Sequence, residues 1–459
     1  MLHLPLIYYI YMYLERKLYS KLLDWKASER RKPLIIRGAR QVGKSTLVRT
    51  FSKEYIFFIE INLERNEDRD LFNLSSVREV LEVLQLRKGM VLNQTPFLLF
   101  IDEIQESPAA IQMLRFFYED YPEIHVICAG SLLEFALDDI DSFPVGRVQQ
   151  LVLHPFDFEE FLNAVGNNRA LEALNSIPIQ KHFFDVLINF FHQYVNIGGM
   201  PEIVLNYITK GSPVGLHVIY EEIWQSYLDD IEKYGKNQTQ KNVLRHILQT
   251  AAHEKDRITM GGFGNSAYKS REVGEALRAL DKSRLIQLVY PVTSTELPAQ
   301  VDYSRKPRLQ FLDTGLLNHA LGIQSELIGL KDFSDAYRGR IIQHAVYQQL
   351  QSQISETSRR LHFWVREKTN TTSEIDLIYS HLQFLIPIEL KSGPRGKLRS
   401  LHQFMERANH SYAFRMLANS YHEEKVQTPS GKQFTLYNLP YFLASRIPQY
   451  IEWVVNKRE

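Results

Sequence analysis

Three apolar runs in the first third of the chain share one pattern, in which each run ends in small or polar residues. The runs cover residues 34–36, 96–101 and 124–129. Apolar runs without polar alternation are typical of strands buried on both faces of a parallel sheet. Between the runs, apolar residues recur at helical spacing, as at Leu47 and Phe51. This part of the chain therefore predicts an α/β domain in which helices cover a parallel sheet.

The first apolar run leads into a loop with the phosphate-binding pattern G-x-x-x-x-G-K-[ST]. Glycine at Gly38 and Gly43 lets the loop approach a polyphosphate, where a Cβ would clash. Lys44 is expected to pair with the β- and γ-phosphates, and the Ser45 hydroxyl to bind Mg²⁺. Because strand, loop and amphipathic helix follow in the order that this chemistry needs, we favour an ATP site over a chance glycine-rich turn. The residues expected to bind the nucleotide are Gly38, Ala39, Arg40, Gln41, Val42, Gly43, Lys44, Ser45 and Thr46.

The second apolar run ends in Asp102-Glu103, which adds the acidic part of an ATPase site. Ligand sites of parallel sheets lie at the carboxyl ends of the strands, where Asp102 falls. We expect Asp102 to hold Mg²⁺, directly or through water. Glu103 is expected to orient or deprotonate the attacking water.

Two further polar residues are candidates for the same reaction. Ser131 follows the third apolar run, and we expect it to contact the γ-phosphate or the lytic water. Arg147 follows Gly146 and precedes another apolar run. Such an arginine either stabilises transition-state charge in its own or a neighbouring subunit, or is a solvated loop residue.

A Gly-Gly-x-Pro break interrupts the helical pattern that follows the predicted sheet. Gly198-Gly199-Met200-Pro201 either brings the backbone close to a nucleotide and hinges a helical lid, or forms an ordinary turn between helices. We therefore include Gly199 and Pro201 among the candidate nucleotide-binding residues.

Residues 270–291 predict an amphipathic helix followed by a strand, the order found in a winged helix-turn-helix. Basic side chains at Arg271, Arg278, Lys282 and Arg284 suit DNA phosphates. Basic surface residues are common, so these four are equally consistent with a solvated face.

Two strand-like runs near the C-terminus carry charged residues on one face. Residues two apart in a strand share a face, which places Glu374 with Asp376 and Glu389 with Lys391. If the strands are adjacent, three carboxylates and one lysine come together. Carboxylates suit Mg²⁺ or Mn²⁺, which activates water for phosphodiester cleavage, and Lys391 would stabilise the developing negative charge. The order D…E-x-K favours this nuclease-like interpretation over an exposed strand with alternating charges.

These motifs together resemble a bacterial and archaeal AAA+ ATPase family whose members join an AAA domain to a C-terminal domain of unknown function. The segments that carry the resemblance most specifically are residues 37–45, 97–105 and 374–392, with residues 227–231 and 312–316 as further matches. The resemblance implies ATP binding and hydrolysis, with a winged-helix part and a restriction-endonuclease-like PD-(D/E)XK part at the C-terminus. It departs at Gln343, where the family pattern has a Glu, and an amide is a weaker metal ligand than a carboxylate.

The expected fold is therefore a P-loop NTPase sheet of the AAA+ type with a helical lid, followed by winged-helix and α/β nuclease-like parts. The expected division is residues 1–16 as a tail or mis-assigned start, 17–162 as the ATPase core, 163–240 as the lid, 241–303 as the winged-helix-like part and 304–459 as the nuclease-like part. The expected cofactors are ATP with Mg²⁺ and a second Mg²⁺ or Mn²⁺ at the C-terminal carboxylates.

Composition limits the remaining possibilities. A net charge of +1 on 459 residues gives no overall attraction to nucleic acid or to a membrane, so such binding depends on local patches. The single cysteine, Cys128, excludes internal disulfides and a cysteine-rich zinc site. The apolar stretch 4–14 is too short to span a membrane and lacks the flanks of a signal peptide, so we expect a cytoplasmic protein that starts naturally at Met12.

Two hypotheses about the partner remain open. In the first, the chain is an ATP-driven motor or switch that acts on double-stranded DNA, with the nuclease-like part as a nuclease or as a DNA clamp. In the second, the chain is an ATP-dependent switch that binds a protein partner, with a nuclease-like part that does not cleave. A homo-oligomer is compatible with either hypothesis.

Overall fold

The computed structural model describes residues 14–89, 97–131, 133, 143–235, 237–254, 256–323, 335–366, 373–391, 398–418 and 420–457. The expectation that the chain starts at Met12 concerns residues outside these ranges. The chain divides into two compact units. The first unit contains the residues up to His154 together with Lys282–Leu285 and Ser355–Ser358, and the second contains Pro155–Asp281, Ile286–Ile354 and Arg359–Glu459.

The first unit is a parallel five-stranded sheet with helices. Its described helices are α1 (Leu18–Ala27), α2 (Lys44–Phe51), α3 (Asn66–Arg69), α4 (Val77–Lys88) and α5 (Pro108–Asp120). Its strands are β1 (Leu34–Arg37), β2 (Phe57–Asn62), β3 (Phe97–Asp102), β4 (His125–Ala129) and β5 (Gln149–Val152). The strand order is β2-β3-β4-β1-β5, and every neighbouring pair is parallel.

The three apolar runs of the sequence form the central strands of this sheet. All residues of β3 and β4 are buried, as expected for strands covered on both faces. Strand β4 lies between β1 and β3, so the ends of these three strands are neighbours at one edge of the sheet. After β3, the chain turns into α5, where the Ser107 side chain caps the helix by accepting a hydrogen bond from the N–H of Ala110 (3.1 Å).

The second unit combines helices with a seven-stranded mixed sheet. Its described helices are α6 (Phe158–Ala164), α7 (Asn168–Asn175), α8 (Phe184–Ile197), α9 (Pro201–Lys210), α10 (Leu216–Tyr234), α11 (Gln238–Thr250), α12 (Ser270–Lys282), α13 (Thr314–Ala320), α14 (Asp335–Ser352), α15 (Arg399–Met405) and α16 (Ile447–Asn456). Its strands are β6 (Ile286–Val289), β7 (Pro291–Val292), β8 (Arg308–Phe311), β9 (His362–Val365), β10 (Glu374–His381), β11 (Phe384–Leu390), β12 (Tyr412–Leu417), β13 (His422–Gln427) and β14 (Gln433–Pro440).

The seven-stranded sheet has the order β13-β14-β12-β11-β10-β9-β7. Strands β9, β10 and β11 are antiparallel neighbours, whereas β11, β12 and β14 run parallel. The two strand-like runs with carboxylates are therefore adjacent, as expected, and Leu377 lies opposite Ile388. The apolar side chains of this region pack into one core around Trp364 and Phe404, which are fully buried.

The segment expected to resemble a winged helix, residues 241–303, contains α12 followed by β6, and β6 pairs antiparallel with β8 beyond that segment, with Ile286 opposite Phe311. The helix buries Val273, Leu277 and Leu280 and exposes Arg271 and Arg278, as amphipathic spacing predicts.

A buried aspartate, Asp313, joins distant segments of the second unit. Its carboxylate accepts hydrogen bonds from the N–H of Gly199 (2.6 Å), the N–H of Leu316 (3.1 Å) and the amide of Gln348 (2.9 Å). Burial raises the pKa of Asp313, and these donors oppose that shift. The Gly-Gly-x-Pro break at Gly199 and the segment 312–316 therefore contact each other.

Candidate nucleotide site

The loop between β1 and α2 has a backbone that requires glycine at two positions. Gly38 has φ +148°, and a Cβ there would overlap the carbonyl oxygen of Leu153. Gly43 precedes α2 in the left-handed conformation, with φ +91°. Gln41, between them, also has a positive φ of 62°. The loop is therefore tightly folded at the carboxyl end of β1, and the first N–H groups of α2 lie beside it.

The Lys44 side chain lies inside this loop. Its ammonium group donates hydrogen bonds to the carbonyl oxygens of Gly38 (3.0 Å) and Ala39 (2.9 Å), and the residue is only 8% exposed. Burial lowers the pKa of Lys44 to about 8, while the carboxylates of Glu103 and Asp102 oppose that shift. A buried lysine beside main-chain oxygens is poised to bind an anion, because a phosphate compensates its charge better than carbonyl dipoles do.

Asp102 brings an acidic group to the start of α2. It is the last residue of β3 and is 5% exposed. Burial raises the pKa of Asp102, and the nearby hydroxyl of Ser45 opposes that shift. A hydroxyl and a carboxylate oxygen at one position are hard ligands of the kind that Mg²⁺ prefers. These two residues fit the magnesium ion of a bound nucleotide.

Glu103 and Gln105 form a polar pair next to Asp102. Glu103 has a left-handed backbone, with φ 52°, and its carboxylate accepts a hydrogen bond from the Gln105 amide (2.6 Å). Gln105 also lies against Gly130, where a Cβ would overlap its Oε1 atom. The motifs of the sequence predicted no role for Gln105. Its spacing from Glu103 is visible in the sequence, but the contact depends on a turn that only the structure reveals.

Ser131 follows strand β4, which lies between β1 and β3 in the sheet. The residue is half-buried, and it lies beyond the same edge of the sheet as the loop and Asp102. The structure therefore places Lys44, Asp102, Glu103 and Ser131 at the carboxyl ends of three neighbouring strands.

Comparison with known domain families agrees with this geometry. Residues 30–162 match a family described as an AAA domain. The chain therefore carries an AAA domain. Residues 188–327 and 338–442 match two families that are each described as a domain of unknown function. No curated protein matches the chain.

Two solved structures are among those that resemble the chain. The Walker-type ATPase PABY2304 of Pyrococcus abyssi is 17% identical, with a TM-score of 0.44 over 67% of this chain and 96% of that chain. The Aeropyrum pernix ORC1 protein, solved in complex with DNA, is 15% identical, with a TM-score of 0.31 over 68% of this chain and 91% of that chain. TM-scores at this level do not define a shared overall fold.

Arg147, the last predicted catalytic residue of the AAA domain, forms an exposed ion pair. Its Nε atom lies 3.0 Å from the Glu119 carboxylate, which also pairs with Arg115. Hydrogen bonds from these two arginines lower the pKa of Glu119. A role for Arg147 in catalysis stays a prediction.

Arg284 has a different environment from the one that the sequence analysis expected. It belongs to the first unit, where its positive charge contributes to the lowered pKa of Lys44 in the AAA domain. Arg271, by contrast, is exposed on α12 and pairs with Glu275 at 2.9 Å. The four basic residues considered for DNA phosphates therefore differ in their surroundings.

Gly199 and Pro201 belong to the second unit, where the Gly-Gly-x-Pro break approaches another piece of backbone. A Cβ on Gly199 would overlap the carbonyl oxygen of Phe156, and its N–H binds Asp313. Pro201 begins α9, a position that proline favours. Close packing accounts for both glycine and proline, and their role in nucleotide binding stays a prediction.

Arginines hold Glu374 and Asp376, whereas Lys391 holds Glu389. Glu374 forms ion pairs with Arg257 and Arg308, and Asp376 contacts Arg308 at 3.4 Å. The Asp376 carboxylate also accepts a hydrogen bond from the N–H of Leu390 (2.9 Å). No three acidic, histidine or cysteine side chains in the part of the chain that the structure describes are arranged to hold a metal, so the second metal ion stays a prediction.

Glu389 and Lys391 do lie together beside Asp376. The Lys391 ammonium is 2.6 Å from one Glu389 oxygen, and the other oxygen has no hydrogen-bond partner among the described residues. Burial and, after it, the negative charge of Asp376 raise the pKa of Glu389 to about 7, while Lys391 opposes the shift. A pocket of about 230 Å³ is lined by Asp376, Lys391 and Gln343 among others. The unpaired oxygen of Glu389 and the neighbouring carboxylate fit a divalent cation, although only two carboxylates are available.

Across the described residues, no helix is both long enough and apolar enough to cross a membrane.

Proposed function

We propose that the AAA domain binds ATP with Mg²⁺ and hydrolyses it at the edge of the parallel sheet. The observation that carries the proposal is that the loop around Lys44 and the acidic strand end at Asp102 lie at the same edge of the sheet, with the Ser45 hydroxyl near the Asp102 carboxylate. Ser45 and Asp102 come from two separate parts of the sequence, 57 positions apart by their numbering. Their closeness supports a magnesium site next to the loop in which Lys44 lies.

Each side chain has a distinct task in this proposal. Lys44 pairs with the β- and γ-phosphates and withdraws negative charge from the bond that breaks. Ser45 and Asp102 hold Mg²⁺, which neutralises phosphate charge when it is bound. Glu103 orients the attacking water and accepts its proton, and Ser131 contacts the γ-phosphate or that water.

Arg147, Gly199 and Pro201 have less support. The exposed ion pair of Arg147 with Glu119 leaves its guanidinium near the protein surface, so we assign it to charge stabilisation in a neighbouring copy of the chain. The break at Gly199 and Pro201 is assigned to positioning of the helices around residues 163–240 during the ATP cycle.

Phosphate release and nucleotide calorimetry test the ATPase proposal together. Purified protein with ATP and Mg²⁺ is expected to release phosphate, and Lys44→Ala is expected to abolish or strongly weaken nucleotide binding. Lys53→Ala is the matched control, because Lys53 is an exposed lysine just after α2. If the unaltered protein gives no heat with ATP, or if Lys44→Ala binds as well as Lys53→Ala does, the proposal is wrong.

A second proposal concerns the nuclease-like part. We propose that it acts on double-stranded DNA, with Asp376 and Glu389 holding Mg²⁺ or Mn²⁺ and Lys391 stabilising negative charge. The closeness of Glu389, Lys391 and Asp376 beside a pocket of about 230 Å³ supports it. The amide of Gln343 in the same pocket favours the alternative of a switch that binds a protein partner and does not cleave.

Cleavage of plasmid and linear DNA in Mn²⁺ separates these alternatives. If the part cleaves DNA, Asp376→Ala is expected to abolish the products while phosphate release from ATP continues. DNA that binds without being cut would support a clamp, and a lack of salt-dependent DNA binding would favour the protein-binding switch.

A further inference from the structure

Another pocket of the second unit, about 240 Å³ in volume, lies beside α12, β6 and the start of β9. It is separate from the pocket at Asp376, since the two have no lining residue in common. Tyrosines, arginines and a histidine contribute most of its polar lining. The side chains that matter below are Arg278, Gln287, Tyr290, Tyr303, Arg360 and His362.

The pocket carries one positive charge that is not balanced locally. Arg360 donates to both carboxylate oxygens of Asp281, at 3.0 and 2.7 Å, so these two charges offset each other. Arg278 is exposed near the end of α12 and makes no ion pair or hydrogen bond within the described ranges of the chain. An anionic group entering the pocket therefore meets the guanidinium of Arg278.

The flat surface of the pocket comes from two tyrosines. Tyr303 is 73% exposed, and its ring centre lies 5.0 Å from that of Tyr290 with a tilt of 59°. An aromatic side chain this exposed presents one face of its ring to solvent. Stacking of a planar group on that face is the ordinary use of such a platform in nucleic-acid binding.

The inner wall offers one acceptor and one donor. The Nδ1 atom of His362 lies 3.0 Å from the carbonyl oxygen of Tyr290, which can only accept, so Nδ1 carries the hydrogen. Burial lowers the pKa of His362, which leaves the ring neutral and its Nε2 atom an acceptor. Gln287 accepts from the Tyr347 hydroxyl (2.7 Å) through its oxygen, so its NH₂ group remains a donor.

We propose that this pocket binds one nucleotide, with the base stacked on Tyr303, the base edge at His362 and Gln287, and the phosphate on Arg278. A planar ring with donors and acceptors, joined to an anion, matches the aromatic, polar and cationic parts of the lining together. Bases of a duplex are paired and stacked, so the ligand is either a free mononucleotide or an unpaired nucleotide of a strand. The proposal stands independently of ATP hydrolysis in the AAA domain.

The test uses the full chain in a Lys44→Ala background, which removes binding at the phosphate loop. Fluorescence anisotropy measures the affinity for a single strand, with labelled oligothymidylate of twelve nucleotides as the probe. Calorimetry with AMP measures the affinity for a free nucleotide. Tyr303→Ala and Arg278→Gln are expected to weaken the relevant affinity by about tenfold each. Arg271→Gln is the matched control, because Arg271 is exposed on the same helix but lies outside the pocket. It is expected to change the affinity by less than about twofold.

The outcomes separate the two sources of the ligand. Loss of oligothymidylate binding in Tyr303→Ala and Arg278→Gln identifies an unpaired strand, and loss of AMP binding identifies a free nucleotide. The proposal is overturned if neither probe binds, if both variants keep the parent affinity, or if Arg271→Gln loses as much as Arg278→Gln. Tyr303 and Arg278 are exposed, so unchanged thermal unfolding of the variants is expected and shows that any loss is local.

Discussion

Arg308 and Glu374 form an ion pair that connects strand β8 to strand β10 of the seven-stranded sheet. The same guanidinium donates a hydrogen bond to the main-chain carbonyl of Asp376 (3.0 Å) and lies 4.6 Å from the centre of the Phe363 ring. Arg257 approaches the other oxygen of Glu374 and also lies over Phe363, at 5.0 Å. Arg257 and Arg308 thus join their segments to strand β10 through ion pairs whose side chains are between 15% and 30% exposed.

Replacing Arg308 should therefore destabilise the second unit. The Arg308 and Glu374 side chains are 15% and 24% exposed, so Arg308→Ala leaves the poorly solvated Glu374 with Arg257 alone and removes a cation from Asp376. We expect a loss of about 2 kcal/mol in the free energy of unfolding, measured by urea denaturation. Arg271→Ala, which breaks a pair whose arginine is 87% exposed, should cost less than about 0.5 kcal/mol. Equal effects of the two substitutions would show that burial of the Arg308 pair contributes nothing.

Glu103→Gln should keep ATP binding but slow its hydrolysis by at least about 100-fold, because the amide cannot accept a proton from water. Calorimetry measures the binding, and single-turnover phosphate release measures the chemistry. Normal hydrolysis by this variant would remove Glu103 from the mechanism.

Gln105→Ala tests whether the hydrogen bond to Glu103 positions that carboxylate. We expect kcat to change while KM for ATP stays close to that of the parent protein, since Gln105 supplies a contact to Glu103 rather than to phosphate. Gln105→Glu should be the more severe variant, because it places a like charge 2.6 Å from the Glu103 carboxylate. A change confined to KM would contradict this positioning role.

The lowered pKa of Lys44 predicts proton uptake when ATP binds in alkaline buffer. Because this pKa is about 8, the lysine is largely neutral at pH 9 before binding, and a phosphate favours its charged form. Calorimetry at pH 9 in two buffers of different ionisation enthalpy should show about one proton taken up, and the uptake should vanish near pH 6.5, where Lys44 is already charged.

The same shift makes a prediction about stability in the absence of nucleotide. The folded pKa of about 8 lies below the ordinary lysine pKa of 10.5, so the unfolded chain binds more protons between these two pH values. This lysine therefore adds stability as the pH rises from 8 towards 10.5 and reduces it below pH 8. Lys44→Met should remove that slope in denaturation curves, whereas Lys53→Met should leave it unchanged.

Gly199→Ala separates the structural role of the Gly-Gly-x-Pro break from a role in nucleotide binding. The new methyl group would overlap the Phe156 carbonyl, so the free energy of unfolding should fall by about 2 kcal/mol or more. If the break only packs helices, ATP affinity at a temperature where the variant is folded should be unchanged. A loss of affinity without a loss of stability would instead support contact with the nucleotide.

The sequence predicted the AAA domain well because its signals are local. Gly38, Gly43 and Lys44 lie close together in the sequence. The apolar run before them forms strand β1, and the apolar run that ends at Asp102 forms strand β3. The insertion of β4 between β1 and β3 follows from pairing across the sheet, which no local pattern encodes.

Long-range ion pairs at the C-terminal carboxylates could not be predicted from the sequence. Strand spacing correctly placed Asp376 near Glu389, but Glu374 is held by Arg257 and Arg308, which lie 117 and 66 positions away in the chain. Alternation along a strand shows which residues share a face, and it does not reveal which cation another element brings to that face.

Asp313 has a consequence for how this protein can be divided. The buried carboxylate of Asp313 accepts hydrogen bonds from Gly199, which precedes it in the chain, and from Gln348, which follows it. A cut near residue 240 or 303 would separate Gly199 from Asp313 and leave the buried carboxylate without one of its donors. Fragments that separate residues 155–240 from the C-terminal sheet should be insoluble on expression. A gene fusion or a recombination event that keeps the second unit folded would therefore have to include all of its segments.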